Sequence, residues 1–98
     1  MDKLTENRQA IEEIDKKMAE LFVKRMACSG NIAQYKTANG IPILDQGREK
    51  ELIEKNGEYI SDDVIKPYYM DFFKTVLDIS KQYQKDLTER NINEDKSH

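Results

Sequence analysis

The sequence predicts an all-α protein with three helices per chain, long, short and long, that packs as a helical homodimer. Three observations lead there. Apolar residues recur at 3–4 residue spacing over two long stretches. Asn39-Gly40-Ile41-Pro42 and Asn56-Gly57 punctuate the chain between them. No segment alternates with the period of two that marks a strand. The 98 residues suffice for one domain, and 36% charged with 38% hydrophobic residues suits amphipathic helices with solvated outer faces.

The first helix is expected from about Leu4 to Asn39. Ile11, Ile14, Met18, Leu21, Cys28, Ile32 and Tyr35 keep a heptad-like spacing once position 25 is counted. A helix of about 34 residues is ~50 Å long, against a mean globular helix of about 11–12 residues. One short chain cannot cover such a rod, so two chains are expected to pack their long helices together. Asn39, Gly40 and Pro42 end it with a C-terminal cap followed by a block. The second helix is expected from Asp45, a good N-cap, to the stop at Asn56-Gly57, with Leu52 and Ile53 inward. Ser61-Asp62-Asp63 signals a third start, which would place Pro67 several residues into the helix and cause a kink or an irregular start there. Tyr69, Phe73, Val76, Ser80, Tyr83 and Leu87 continue the stripe. The helical domain is thus expected over residues 1–90, with a polar, fraying tail over 91–98.

Composition narrows the function. A net charge of −3 argues against nucleic acid, whose affinity comes mostly from Lys and Arg on phosphates. No basic run or apolar span supports a membrane role, and the first thirty residues show no signal peptide. Cys28 is the only cysteine, so no internal disulfide can form and a reducing, cytoplasmic setting is expected. Cys28 itself reads as a small buried apolar residue. His98, the single histidine, offers neither a metal cluster nor a catalytic dyad. No metal or cofactor is expected.

The informative feature is where the apolar stripe breaks. Arg25 takes a heptad slot that packing alone would give to Leu or Ile, and a buried charge is costly without a partner. Lys36, eleven residues on, returns to within ~20° of Arg25 and lies about 16 Å along the axis. Ser29 and Ile32 fall between them. On the third helix Ser80 holds a core slot and Gln84 stands one turn further. Asp45, Arg48 and Glu49 cluster at the start of the short helix. Each has a plainer explanation: a snorkelling Arg25, Lys36 against the helix dipole, Asp45 as cap, Arg48 and Glu49 on a solvated face, Ser80 and Gln84 setting helix register. Together, cations on inward faces suggest an anionic ligand. Arg8 lies ~25 Å and ~100° from Arg25 on a straight helix, so the two cannot grip one small molecule within a chain. In an antiparallel dimer, Arg8 of one chain could approach Arg25 of the other, giving two composite sites.

Arg8, Arg25, Lys36, Asp45-x-x-Arg48-Glu49, Ser80 and Gln84 together resemble the active-site pattern of the all-helical chorismate mutases. Ile11-x-x-Ile14-Asp15 with Leu21, and the loop Gly40-Ile41-Pro42-Ile43-Leu44-Asp45, fit the same family. The likeness covers roughly residues 5–88, with Gly47 and the segment around Pro67 as mild departures. It implies an intertwined dimer, Arg8 crossing to the partner's site, and rearrangement of chorismate to prephenate, a step of phenylalanine and tyrosine biosynthesis, with no cofactor. It further implies Arg25 and Arg8 on the carboxylates, Ser80 helping at the ring carboxylate, and Glu49 accepting from the ring hydroxyl. Asp45 and Arg48 would complete the polar wall and Ile32 an apolar one. Lys36 and Gln84 would donate to the ether oxygen. Two rival readings remain at this point: an isochorismate–pyruvate lyase of the same fold, and a non-catalytic helical regulatory or dimerisation module. The lyases lack the Asp-x-x-Arg-Glu cluster, and a bare module gives no reason for inward Arg25, Lys36, Ser80 and Gln84.

Overall fold

The computed structural model describes residues 2–96, with side chains through residue 90. Three helices make up the chain: α1 Lys3–Ala38, α2 Gln46–Glu58 and α3 Lys66–Lys96. Asp2 caps α1 by accepting the Thr5 N–H at 2.7 Å. At the other end Gly40 adopts φ +65°, and the Ile41 N–H reaches back to the Lys36 carbonyl at 2.8 Å. This is a Schellman ending, and it needs a residue free to enter the left-handed region. It turns the chain so that Ile43 lies beside Lys36 before α2 begins. Asp45 then caps α2 by accepting the Arg48 N–H at 2.9 Å.

Three boundaries differ from the sequence expectation. Helix α2 runs through Gly57 to Glu58. Gly is only a weak stop, and Asn56 ties this turn to α3 by accepting the Tyr69 hydroxyl at 2.8 Å. Helix α3 starts at Lys66, after Asp62 has capped the Val64 and Ile65 N–H groups at 2.8 and 3.2 Å. Pro67 therefore sits in the first turn, where its missing N–H has no helical partner to lose, and no kink arises. The α3 backbone continues to Lys96, past the residue-91 onset of the expected tail; polar residues without Gly or Pro are no barrier to a helix. The side chains of that tail, including His98, lie outside the described residues.

The interior sits at the C-terminal half of α1. Arg25 meets Ser80 and Ser29 meets Gln84, both pairs 55 positions apart, so α1 and α3 run parallel. Glu49 meets Lys81 and Asn56 meets Tyr69, so α2 runs antiparallel to α3. Ala33, Phe73 and Leu77 form the buried apolar centre, with Ser29 and Ser80 as its buried polar members. Gly30 allows the close approach: a Cβ there would lie 3.2 Å from Leu87 Cδ1 and 3.3 Å from Tyr83 Cε2. The chain's own core thus uses the small residues Ser29, Gly30 and Ala33. The stripe Ile11, Ile14, Met18 and Leu21 is left open, with Leu21 62% exposed. Every residue from 2 to 24 is exposed. Cys28, expected to be buried, is exposed as well, since the cavity that it lines is open. The result is a rod of 60 × 29 × 15 Å with a radius of gyration of 17.7 Å, against about 13 Å for a compact chain of this length.

Candidate active site

A cavity of about 340 Å³ opens where the last turns of α1, the start of α2 and the middle of α3 converge. That is the size of a small-molecule site. Three segments build its walls. From α1 come Arg25, Ile32 and Lys36; from the start of α2 come Asp45, Arg48 and Glu49; from α3 come Ser80 and Gln84. All the sequence-predicted site residues but one are therefore brought together. Arg8 is the exception. It lies on the exposed N-terminal half of α1 and does not line this cavity, as the axial distance from Arg25 requires.

The two cations of α1 are held by neutral groups. Arg25 is half-buried; its Nη1 donates to Ser80 Oγ, and its guanidinium carbon lies 5.9 Å from the Phe73 ring centroid. A cation over an aromatic face is oriented without being neutralised. The Ser80 hydroxyl in turn donates to Met26 Sδ at 3.9 Å, so its place in the interior follows from its tie to Arg25. Lys36, also half-buried, donates to the Ile43 carbonyl at 3.2 Å. Among the described residues neither cation has a carboxylate within ion-pair distance. Gln84 Nε2 donates to the Ser29 carbonyl at 3.0 Å, which points its amide toward α1 and leaves a second N–H.

The α2 wall is internally balanced. Arg48 faces Glu51 at 3.4 Å, and Lys55 approaches the same carboxylate at 2.9 Å. The hydrogen bond from Lys55 holds the Glu51 carboxyl below the usual range. Glu49 pairs across the crevice with Lys81 of α3 at 2.9 Å. Its hydrogen bond raises the Lys81 ammonium above the ordinary lysine value. Lys81 also lines the cavity and was missed by sequence reasoning. Its one signal was its position three residues before Gln84, which puts both on neighbouring rows of α3. Cys28, Leu52 and Leu77 add apolar lining beside Ile32. No group of His, Cys, Asp and Glu among the described residues could hold a metal ion, and no helix among them is long and apolar enough to cross a membrane.

Fold and site together define a class: small all-helical proteins with a cavity that holds two cations without a paired carboxylate. Residues 7–85 match the family described as chorismate mutase type II. The chain is also 30% identical over 97 residues to the chorismate mutase of Methanocaldococcus jannaschii, with 98% of each chain covered. The chain belongs to the chorismate mutase type II family, and it is an enzyme of that isomerase class.

Proposed function

We propose that the chain rearranges chorismate to prephenate at two equivalent sites of a homodimer, each completed by the partner subunit's Arg8. The observation that carries the reading is the pair Arg25 and Lys36: two cations on one helix face, lining one cavity, with no carboxylate among the described residues within ion-pair distance of either. A doubly negative substrate fits that arrangement. A non-catalytic module would have no use for it.

Chorismate carries two carboxylates and an enolpyruvyl ether. Its rearrangement forms a carbon–carbon bond as a carbon–oxygen bond breaks, in one pericyclic step that moves no proton. The protein must therefore select the compact diaxial conformer and stabilise negative charge growing on the ether oxygen. Arg25 and the partner subunit's Arg8 anchor the carboxylates, since a guanidinium grips a carboxylate in two-point fashion. Ser80 holds Arg25 and helps at the ring carboxylate. Glu49 accepts from the ring hydroxyl. Asp45 and Arg48 set the start of α2 and complete the polar wall, and Ile32 forms the apolar one. Lys36 and Gln84 donate to the ether oxygen. Neither step nor site calls on a cofactor.

The dimer is supported by the uncovered length of α1. Ile14 and Leu21 are 55% and 62% exposed, within a stretch in which every residue from 2 to 24 is exposed. Contiguous apolar surface of that kind marks an interface. A second copy laid antiparallel would cover the stripe and bring its Arg8 toward Arg25. A reducing cytoplasmic setting is supported by the single cysteine.

The test is direct. Purified protein is incubated separately with chorismate and with isochorismate, and products are identified. Prephenate from chorismate is the expected result. Salicylate and pyruvate from isochorismate, without prephenate, would replace this reading with the lyase.

A further inference from the structure

Lys81 is the cavity cation that the reading above leaves without a task. It stands on α3 directly after Ser80, and its Nζ lies 2.9 Å from Glu49 Oε1. Among the described residues this is the one ion pair that joins two different helices. The other acids nearby are engaged elsewhere or exposed. Asp45 caps α2, Glu51 takes Arg48 and Lys55, and Asp78 lies further from Lys81, at 3.5 Å, with its side chain 76% exposed.

We propose that Lys81 is a positioning residue: it fixes the Glu49 carboxylate across the α2–α3 crevice so that this carboxylate receives the ring hydroxyl of the substrate. The proposal rests on the assignment of the hydroxyl to Glu49. Two physical needs support it. A glutamate has three side-chain torsions, and at a cavity rim nothing but a partner restricts them. A lone carboxylate would also repel a dianionic substrate, whereas one paired to an ammonium can accept a hydrogen bond without adding net negative charge. The pair has little else to do. A partly exposed ion pair adds little to stability, and α2 is already held to α3 by the Tyr69–Asn56 hydrogen bond and by half-buried Leu52 and Ile53.

The experiment uses the full chain and two substrates: chorismate, and the analogue in which hydrogen replaces the ring hydroxyl. Lys81→Met keeps the apolar stem and removes the charge; Lys81→Arg restores a cation; Glu49→Leu, which removes the acceptor, is the control for the underlying assignment. With chorismate, Lys81→Met lowers kcat/KM by about tenfold and Lys81→Arg recovers most of it. With the deoxy analogue, Lys81→Met loses clearly less than with chorismate, because the repulsion of the unpaired carboxylate remains but no hydroxyl is left to be received. Thermal midpoints move by no more than about 4 °C. Full turnover of chorismate by Lys81→Met overturns the proposal. So does an equal loss on both substrates, which would make the pair purely structural. If Glu49→Leu distinguishes the two substrates and Lys81→Met does not, Lys81 alone is misassigned. If Glu49→Leu leaves chorismate turnover unchanged, the hydroxyl assignment falls and this proposal with it.

Discussion

Replacing Lys36 tests the mechanism at its centre. Its ammonium carries three donors, and one is spent on the Ile43 carbonyl at 3.2 Å, the long end of the hydrogen-bond range. No carboxylate among the described residues neutralises it. A unit charge about 3 Å from an ether oxygen that gains roughly half a charge is worth about 3 kcal/mol at an effective dielectric near 20. That gain is absent in the ground state, where the ether oxygen is nearly neutral, so it falls on kcat. Lys36→Ala should therefore lower kcat by about a hundredfold, with KM changed far less. Loss of a single preorganised donor elsewhere costs about 10²–10³ in kcat, the same range. Gln84 remains as a second donor and sets the residual rate. Lys36 also stands in the last turn of α1, so removing its charge costs about 0.3–1 kcal/mol of stability through the helix dipole. The assay is the loss of chorismate absorbance at saturating substrate, beside circular dichroism to verify the helices. A folded Lys36→Ala protein with kcat within about threefold of the parent would refute the assignment of the ether oxygen to Lys36.

Arg8→Ala and Arg25→Ala chains, each inactive alone, should complement on mixing. Half of randomly exchanged dimers are mixed and each holds one intact site, so about a quarter of parental activity returns; no recovery after verified subunit exchange would sink the shared site. Gly30→Leu should drive into Leu87 and Tyr83, already 3.2 and 3.3 Å from a Cβ, and destabilise the chain by about 1–3 kcal/mol in a urea melt. Gly30→Ala should be near neutral, since about 1 kcal/mol of helix propensity offsets the crowding. The hydrogen bond from Thr5 holds the Asp2 carboxyl below its usual value of 3.8. Its stabilising effect on α1 is full above about pH 4 and is lost as pH falls through the lowered value, so Asp2→Ala should flatten the acid end of the helicity titration.

Much of the fold is legible because its signals are local. Gly40 and Pro42 end α1 by backbone geometry that no distant contact can override, and Asp45 caps α2 through its own neighbour's N–H. The errors arose where tertiary contacts outweighed a weak local signal. Gly57 did not stop α2, because Tyr69 holds the turn through Asn56. The apolar stripe of α1 was read correctly as a pattern, but it does not say which chain covers which part. The chain's own α3 takes the face of Ser29, Gly30 and Ala33, small residues that carry almost no hydrophobic signal, while Cys28 lines the open cavity. The cavity lining was legible where a charge stands in an apolar slot, as Arg25 does, and where another shares its helix face, as Lys36 does. Lys81 was not, because a lysine on a polar helix row looks like solvated surface until Glu49, from another helix, is placed beside it.

The charges around the cavity show why two residues dominate. Arg25, Lys36, Arg48 and Lys81 line it against Asp45 and Glu49, an excess of two positive charges, 4 − 2. The pairings decide where that excess is felt. Arg48 is drawn to Glu51 and Lys81 to Glu49, while Asp45 is turned to the backbone of its own helix. What remains unanswered is Arg25 and Lys36, three turns apart on one rigid helix, each aimed by a neutral acceptor. Fixed separation matters more than total charge for a reaction whose catalysis is conformational selection. On the proposed reading, the substrate's carboxylates meet Arg25 and the partner subunit's Arg8 while its ether oxygen reaches Lys36, and only the compact conformer satisfies all three. Dimer formation would then be part of the chemistry as well as of stability, and an isolated chain with an intact wall should bind the dianion yet fail to fold it into the reacting shape.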